Sequence, residues 1–183
     1  LLPEERVSEI RNSISMKETK TQVLILGGGP AGLTAGTYLG QAHIDTILVD
    51  TALPGGYVAT THLVSNYPGF VEPIQGFMLA HYMSEQTKAA GVKYRVAVEV
   101  SEVDLKEKTV LIDNHERIKA EKIIIATGSS PRPLNIPGER EYQGKGISYC
   151  ATCDAKYYEG KEVIVIGGGN SAIEESLFIS KFA

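Results

Sequence analysis

Val23-Leu-Ile-Leu-Gly-Gly-Gly-Pro-Ala-Gly32 is the stretch on which the fold turns. Four consecutive apolar residues describe a strand buried on both faces, the pattern of a parallel sheet. Gly27, Gly29 and Gly32 follow at the spacing G-x-G-x-x-G, with Pro30 and Ala31 between them at the start of a helix predicted over Ala31–Gln41. The first glycine permits a tight turn, the second lets the backbone approach a pyrophosphate, and the third lets helix and strand pack closely. The first helical N–H groups then face the phosphates unpaired. A second apolar strand, Thr46–Val49, ends at Asp50, eighteen residues past Gly32. A carboxylate at that place accepts from ribose hydroxyls.

The same phrase returns. Val163-Ile-Val-Ile-Gly-Gly-Gly-Asn-Ser-Ala172 repeats it at an offset of 140 residues, with Ala172 in place of the third glycine. Val163–Ile166 is therefore predicted as a strand and Asn170 as the start of a helix. Two copies imply two nucleotide-binding units in one α/β chain. Pro131, Pro133 and Pro137 punctuate the stretch between them, the best linker in the sequence.

The remainder fills in around these copies. Ile74–Gly91 has helical spacing, Val92–Val103 and Thr109–Ile112 read as strands about a turn at Lys106–Lys108, and Ile123–Ala126 reads as another buried strand. Residues 1–20 are polar, with Val7, Ile10 and Ile14 at amphipathic-helix spacing; they read as a surface extension or as a linker.

Composition narrows the function. The chain has 183 residues, 43% of them hydrophobic, and a net charge of −4, which excludes overall disorder and gives no basic run for nucleic acid or an anionic membrane. Val23–His43 carries no charged residue, but Gly27-Gly-Gly-Pro30 would break a membrane helix there. No secretory leader pattern is present, so a soluble, cytoplasmic protein is expected. His43, His62, His81 and His115 are too scattered to make a metal site.

Both cysteines of the protein lie in Cys150-Ala-Thr-Cys153, followed by Asp154. Two intervening residues let the sulfurs reach bonding distance at a helix start, which reads as a redox dithiol. Zinc would need two further ligands at suitable spacing, and idle buried cysteines are the bland alternative. Asp154 is placed to move the protons that thiol–disulfide exchange consumes and releases, or is an exposed turn carboxylate.

Two such fingerprints with a C-x-x-C just ahead of the second form a specific constellation. The sequence resembles the low-molecular-weight thioredoxin reductase family of flavin-dependent disulfide oxidoreductases, through Gly27-Gly-Gly-Pro-Ala-Gly-Leu-Thr-Ala, Pro54-Gly-Gly, Asn66-Tyr-Pro-Gly-Phe, Ile125-Ala-Thr-Gly, Cys150-Ala-Thr-Cys-Asp and Gly167-Gly-Gly-Asn-Ser-Ala. The resemblance implies two Rossmann-like three-layer domains, both incomplete in this chain. An FAD domain begins in residues 21–130, and an inserted nicotinamide-nucleotide domain bearing the dithiol begins in 131–183. It implies thioredoxin-disulfide reductase activity, with NADPH reducing FAD, FAD reducing the disulfide, and the dithiol reducing a thioredoxin-like protein; NADH and ferredoxin stay open as donors. Carried over by position, Cys153 faces the flavin, Cys150 attacks the partner disulfide, and Asp154 is the acid/base. Gly27, Gly29, Pro30, Ala31, Gly32 and Asp50 would hold FAD, Gly55, Gly56, Thr60 and Asn66 would lie along it, and Thr127-Gly128 would close over it. Gly167, Gly169, Asn170, Ser171 and Ala172 would meet the nicotinamide pyrophosphate, with Glu174 or Glu175 nearby. A homodimer is implied as well.

Two positions depart from the family pattern. Tyr57 stands where Gln commonly follows the Gly-Gly pair, and Ser65 stands where an acid often precedes Asn66. A ferredoxin-fed reductase on the same scaffold and a non-catalytic truncated fragment are the alternatives. The intact Gly167–Ala172 turn speaks against ferredoxin.

Overall fold

The computed structural model describes residues 16–183, so the helix expected around Val7, Ile10 and Ile14 lies outside the described residues. The described chain divides into two compact units, one of residues 16–60 and 77–129 and one of residues 61–76 and 130–183.

The first unit is built on a mixed six-stranded sheet. Its elements are β1 (Lys17–Leu26), α1 (Pro30–Gln41), β2 (Thr46–Asp50), α2 (Gly76–Ala89), β3 (Lys93–Val96), β4 (Val100–Asp104), β5 (Thr109–Ile112) and β6 (Glu116–Ile125). The strand order is β3-β2-β1-β6-β5-β4. β3, β2, β1 and β6 run parallel, and β5 pairs antiparallel with both β6 and β4. The alternation of side chains sets the layers. Leu24 and Leu26 of β1 and Ile47 and Val49 of β2 pack with Val110 and Ile112 of β5 and Ile118 and Ala120 of β6. Ile25 points the other way, toward α1. α1 and α2 meet through a buried pair of hydroxyls. Thr87 Oγ1 bonds the carbonyls of Leu33 (2.9 Å) and Met83 (2.8 Å) and lies 2.9 Å from Thr37 Oγ1.

Four expectations need correction. The buried strand expected over Ile123–Ala126 is the end of β6, which starts at Glu116 and leaves Ile125 59% exposed. β1 begins at Lys17, inside the stretch read as a polar extension, because Lys17–Lys20 pair with β6 alone and need no apolar face. The single strand expected over Val92–Val103 is two, broken where Ala97 takes a positive φ of 56°. Val163–Ile166 joins no ladder. A parallel strand draws its hydrogen bonds from a neighbour, and no described residue of the second unit supplies one.

The second unit contains α3 (Glu139–Tyr142), α4 (Ala151–Asp154), a 3-10 turn over Ala155–Tyr158 and α5 (Asn170–Ile179). Two isolated bridges, Val64 to Ile74 and Gln143 to Ile147, are its only β pairings among the described residues. Glu139 organises its first turn. Its buried carboxylate accepts from the amides of Leu134 (2.8 Å), Asn135 (2.6 Å) and Ile136 (3.4 Å) and from the Tyr149 hydroxyl.

Candidate functional site

The first glycine turn follows directly from what surrounds it. Gly27 sits at φ 106°, and a Cβ there would meet the Ala126 carbonyl oxygen at 2.2 Å. A Cβ on Gly32 would lie 1.9 Å from the Gly27 carbonyl oxygen. These two glycines are required by the protein's own backbone. Gly29 differs: a Cβ there would find nothing nearer than Gly56 Cα at 3.7 Å. Packing within the chain would admit alanine, so the space over Gly29 is a cradle that a Cβ would fill, as a pyrophosphate-binding turn requires. Pro30 opens α1, and Leu33 N donates to Gly29 O at 2.9 Å.

Asp50 is part of the same turn. Its Oδ2 accepts from Gly28 N at 2.5 Å and its Oδ1 from Ala52 N at 2.8 Å. The sequence reading gave this carboxylate to a ribose; in the structure it clamps two loops. Gly55 and Gly56 close the turn from the other side. Gly55 N donates to Gly28 O at 2.7 Å, and a Cβ on Gly56 would lie 2.9 Å from Gly29 Cα. Thr60 ends the 3-10 turn over Gly56–Thr60, its hydroxyl donating to Tyr57 O. Thr127 Cα lies 3.0 Å from the Cβ position of Gly27, whereas Gly128 has open space. The structure thus gathers Gly27–Gly32, Asp50, Gly55, Gly56 and Thr127. Asn66 belongs to the 61–76 segment of the second unit.

In the second unit Cys150 and Cys153 are joined by a disulfide, with their Cα atoms 5.3 Å apart. The short α4 makes this pairing: Cys153 N and Asp154 N both donate to Cys150 O, at 3.2 and 3.1 Å. Cys150 is half-buried and Cys153 exposed. Two further side chains hold the pair: Ser148, which the sequence reading did not single out, and Glu175, which it placed near the nicotinamide pyrophosphate instead. Ser148 Oγ accepts from Cys150 N at 3.1 Å and donates to Asp154 Oδ2 at 2.5 Å. Glu175, on α5, accepts from Ala151 N through Oε2 at 3.0 Å. Ser148 was legible as a hydroxyl two residues before Cys150; the reach of Glu175 is tertiary and left no local signal. Beyond Asp154, burial pushes the Tyr158 hydroxyl up, and the negative charge of Asp154 adds to that rise.

The second glycine turn reproduces the first locally. Gly167 has φ 146°, Gly169 caps α5 from an extended conformation, and Ile173 N donates to Gly169 O at 3.3 Å. Neither Gly168 nor Gly169 would have a neighbour within 4 Å of an added Cβ, leaving the turn open above Asn170 and Ser171. A Cβ on Gly167 would lie 3.0 Å from the Cβ of Ala172.

No helix among the described residues is long and apolar enough to cross a membrane. Comparison with known proteins gives these features their class. Residues 21–183 match the family described as pyridine nucleotide-disulphide oxidoreductase, and the chain belongs to that family. It is similar to thioredoxin reductase of Bacillus subtilis (strain 168), 41% identical over 169 residues, covering 92% of this chain and 53% of that protein. Thioredoxin reductase of Peptoclostridium litorale is 43% identical over 167 residues, with 91% and 53% covered. Among solved structures, thioredoxin reductase from Streptococcus pyogenes MGAS5005 superposes with a TM-score of 0.83 at 34% identity, covering 90% of this chain and 53% of that one. That from Giardia duodenalis gives 0.83 at 35% identity, with 90% and 54% covered. The chain therefore spans about half the length of the relatives it matches.

Proposed function

We propose that this chain is the nucleotide- and dithiol-bearing part of a thioredoxin reductase, in which reducing equivalents from NADPH reach Cys150–Cys153 and then a thioredoxin-like disulfide. The observation that carries this reading is the closed Cys150–Cys153 disulfide, set beside Asp154 and ahead of the second glycine turn. FAD, when bound, supplies the two-electron link between the nicotinamide and the disulfide. Gly27–Gly32 would hold its pyrophosphate and Asp50 its ribose, with Gly55, Gly56, Thr60, Asn66 and Thr127-Gly128 along the remainder. Gly167, Gly169, Asn170, Ser171 and Ala172 would receive the nicotinamide nucleotide.

The dithiol's own chemistry balances as follows. The Cys150–Cys153 disulfide accepts two electrons and two protons and opens to two thiols. Cys150, as thiolate, attacks one sulfur of the partner disulfide; a mixed disulfide forms and one partner thiolate leaves. Cys153, as thiolate, then attacks Cys150 Sγ, restores the intramolecular disulfide and releases the second partner thiolate. Asp154, held by Ser148, exchanges protons with these sulfurs and the leaving thiolates. A cytoplasmic homodimer is part of the proposal, since reduced thiols persist there.

The test is direct. The whole protein, purified, is expected to be yellow, to bleach on NADPH faster than with NADH or reduced ferredoxin, and to lose turnover of thioredoxin by ~10³-fold or more in Cys150→Ser or Cys153→Ser. A flavin-free protein that resists reconstitution would overturn the proposal. Fast reduction by ferredoxin alone would transfer the donor role.

A further inference from the structure

Cys150 is pinned on both sides by side chains. Its own amide is taken by Ser148 Oγ at 3.1 Å, and the next amide, that of Ala151, by Glu175 Oε2 at 3.0 Å. The second contact is unusual in kind. Backbone amides just past a cysteine are the groups that stabilise its thiolate. Here the first such amide is committed to a carboxylate from a different helix, which takes the hydrogen that a Cys150 thiolate could otherwise accept. Glu175 is half-buried, which lessens the screening of its charge by water.

We infer that Glu175 is a positioning residue that sets the redox poise of the Cys150–Cys153 pair, disfavouring the Cys150 thiolate and so making the reduced dithiol a stronger donor. The inference rests on reading that pair as the working dithiol. Reduction adds two electrons and two protons to the disulfide when both products are thiols; each thiolate that persists spares a proton and stabilises the reduced form. A charge that disfavours the Cys150 thiolate therefore destabilises the reduced form relative to the disulfide and makes the dithiol more reducing. For a pair that must hand electrons on, that direction is useful. It also separates Glu175 from the nicotinamide-binding role that its place after the second glycine turn would otherwise imply.

The experiment uses the whole purified protein, wild type and Glu175→Gln, equilibrated with glutathione redox buffers. The state of Cys150 and Cys153 is read by alkylation and mass spectrometry, and the alkylation rate of reduced Cys150 is followed against pH. Gln keeps an acceptor for Ala151 N and removes the charge. The expected result is an equilibrium shift of about tenfold toward the dithiol, or about 30 mV, with faster alkylation of Cys150 at neutral pH. Glu175→Asp, which keeps the charge on a shorter arm, is expected to stay closer to wild type. A pair that cycles with an unchanged equilibrium in Glu175→Gln overturns the inference and leaves the dithiol reading intact. A pair that never cycles in the wild type overturns the dithiol reading itself. Loss of folding in both variants, seen by circular dichroism, would assign Glu175 to structural support and also overturn the inference.

Discussion

The two glycine turns are a natural comparison within one chain. Each has a left-handed or strained first glycine, an extended capping glycine and a helix that starts at the next residue. Their strands could hardly differ more. Val23–Leu26 is paired on both sides and buried, Ile25 being 0% exposed, whereas Val163–Ile166 pairs with no other described residue and leaves Ile164 84% exposed. Turn and helix are local products of glycine placement and capping. A parallel strand is not local, because its hydrogen bonds and its dry faces come from other segments. The lesson is that a fingerprint predicts its own loop well and its strand only when neighbours are present.

The largest effect should come from the third position of each turn. Gly32→Ala places a methyl against the Gly27 carbonyl oxygen, and should destabilise the first unit by roughly 4 kcal/mol, visible as a collapse of its denaturant midpoint. The mirror change, Ala172→Gly, should cost the second unit no more than about 1 kcal/mol. Equal effects would show that the two turns are packed alike.

A second prediction concerns acid. Glu116 at the start of β6 is 4% exposed and bonded by Arg95, Thr19 and Lys17. Chiefly the Arg95 guanidinium holds its carboxyl down at about 2 from an ordinary 4.5. A folded-state value below the unfolded one contributes stability above about pH 5 that is lost as pH falls toward 2, here roughly 3 kcal/mol. Arg95→Met should erase most of that acid dependence in the first unit, measured as stability against pH. The counterpart in the second unit is Glu139, lowered by the Tyr149 hydroxyl and then by backbone amides. Its share also fades with acid, and Tyr149→Phe should weaken it while leaving the Glu116 transition unchanged.

The smallest effect sharpens the comparison without any mutation. Hydrogen exchange should find the amides of Val23–Leu26 among the slowest in the protein and those of Val163–Ile166 among the fastest in this chain. Protection at 163–166 equal to that at 23–26 would contradict the unpaired strand.

Much of the first unit was legible. The apolar runs at Val23–Leu26 and Thr46–Val49 and the hairpin about Lys106–Lys108 lie where the pattern put them. The missed parts share a cause. Lys17–Lys20 forms strand by pairing with Glu116–Lys119, two polar stretches far apart in sequence. Residues 116–120 did alternate, with Ile118 and Ala120 buried between Arg117 and Lys119, a signal that charge obscured. At the dithiol, the cysteine spacing fitted a disulfide, and the structure contains one. The hold of Glu175 on the Ala151 amide and of Asp50 on the Gly28 amide depends on three-dimensional approach and was not readable from spacing, whereas the Ser148 contact is local.

The Ala126 carbonyl that fills the space beside Gly27 comes from a residue 99 positions later in the chain. The turn is therefore finished by a late arrival. During synthesis the early strand and its glycines must wait, apolar and half-dressed, until β6 has left the ribosome. The window for misassociation thus opens at β1, and its length is the time taken to translate about a hundred codons.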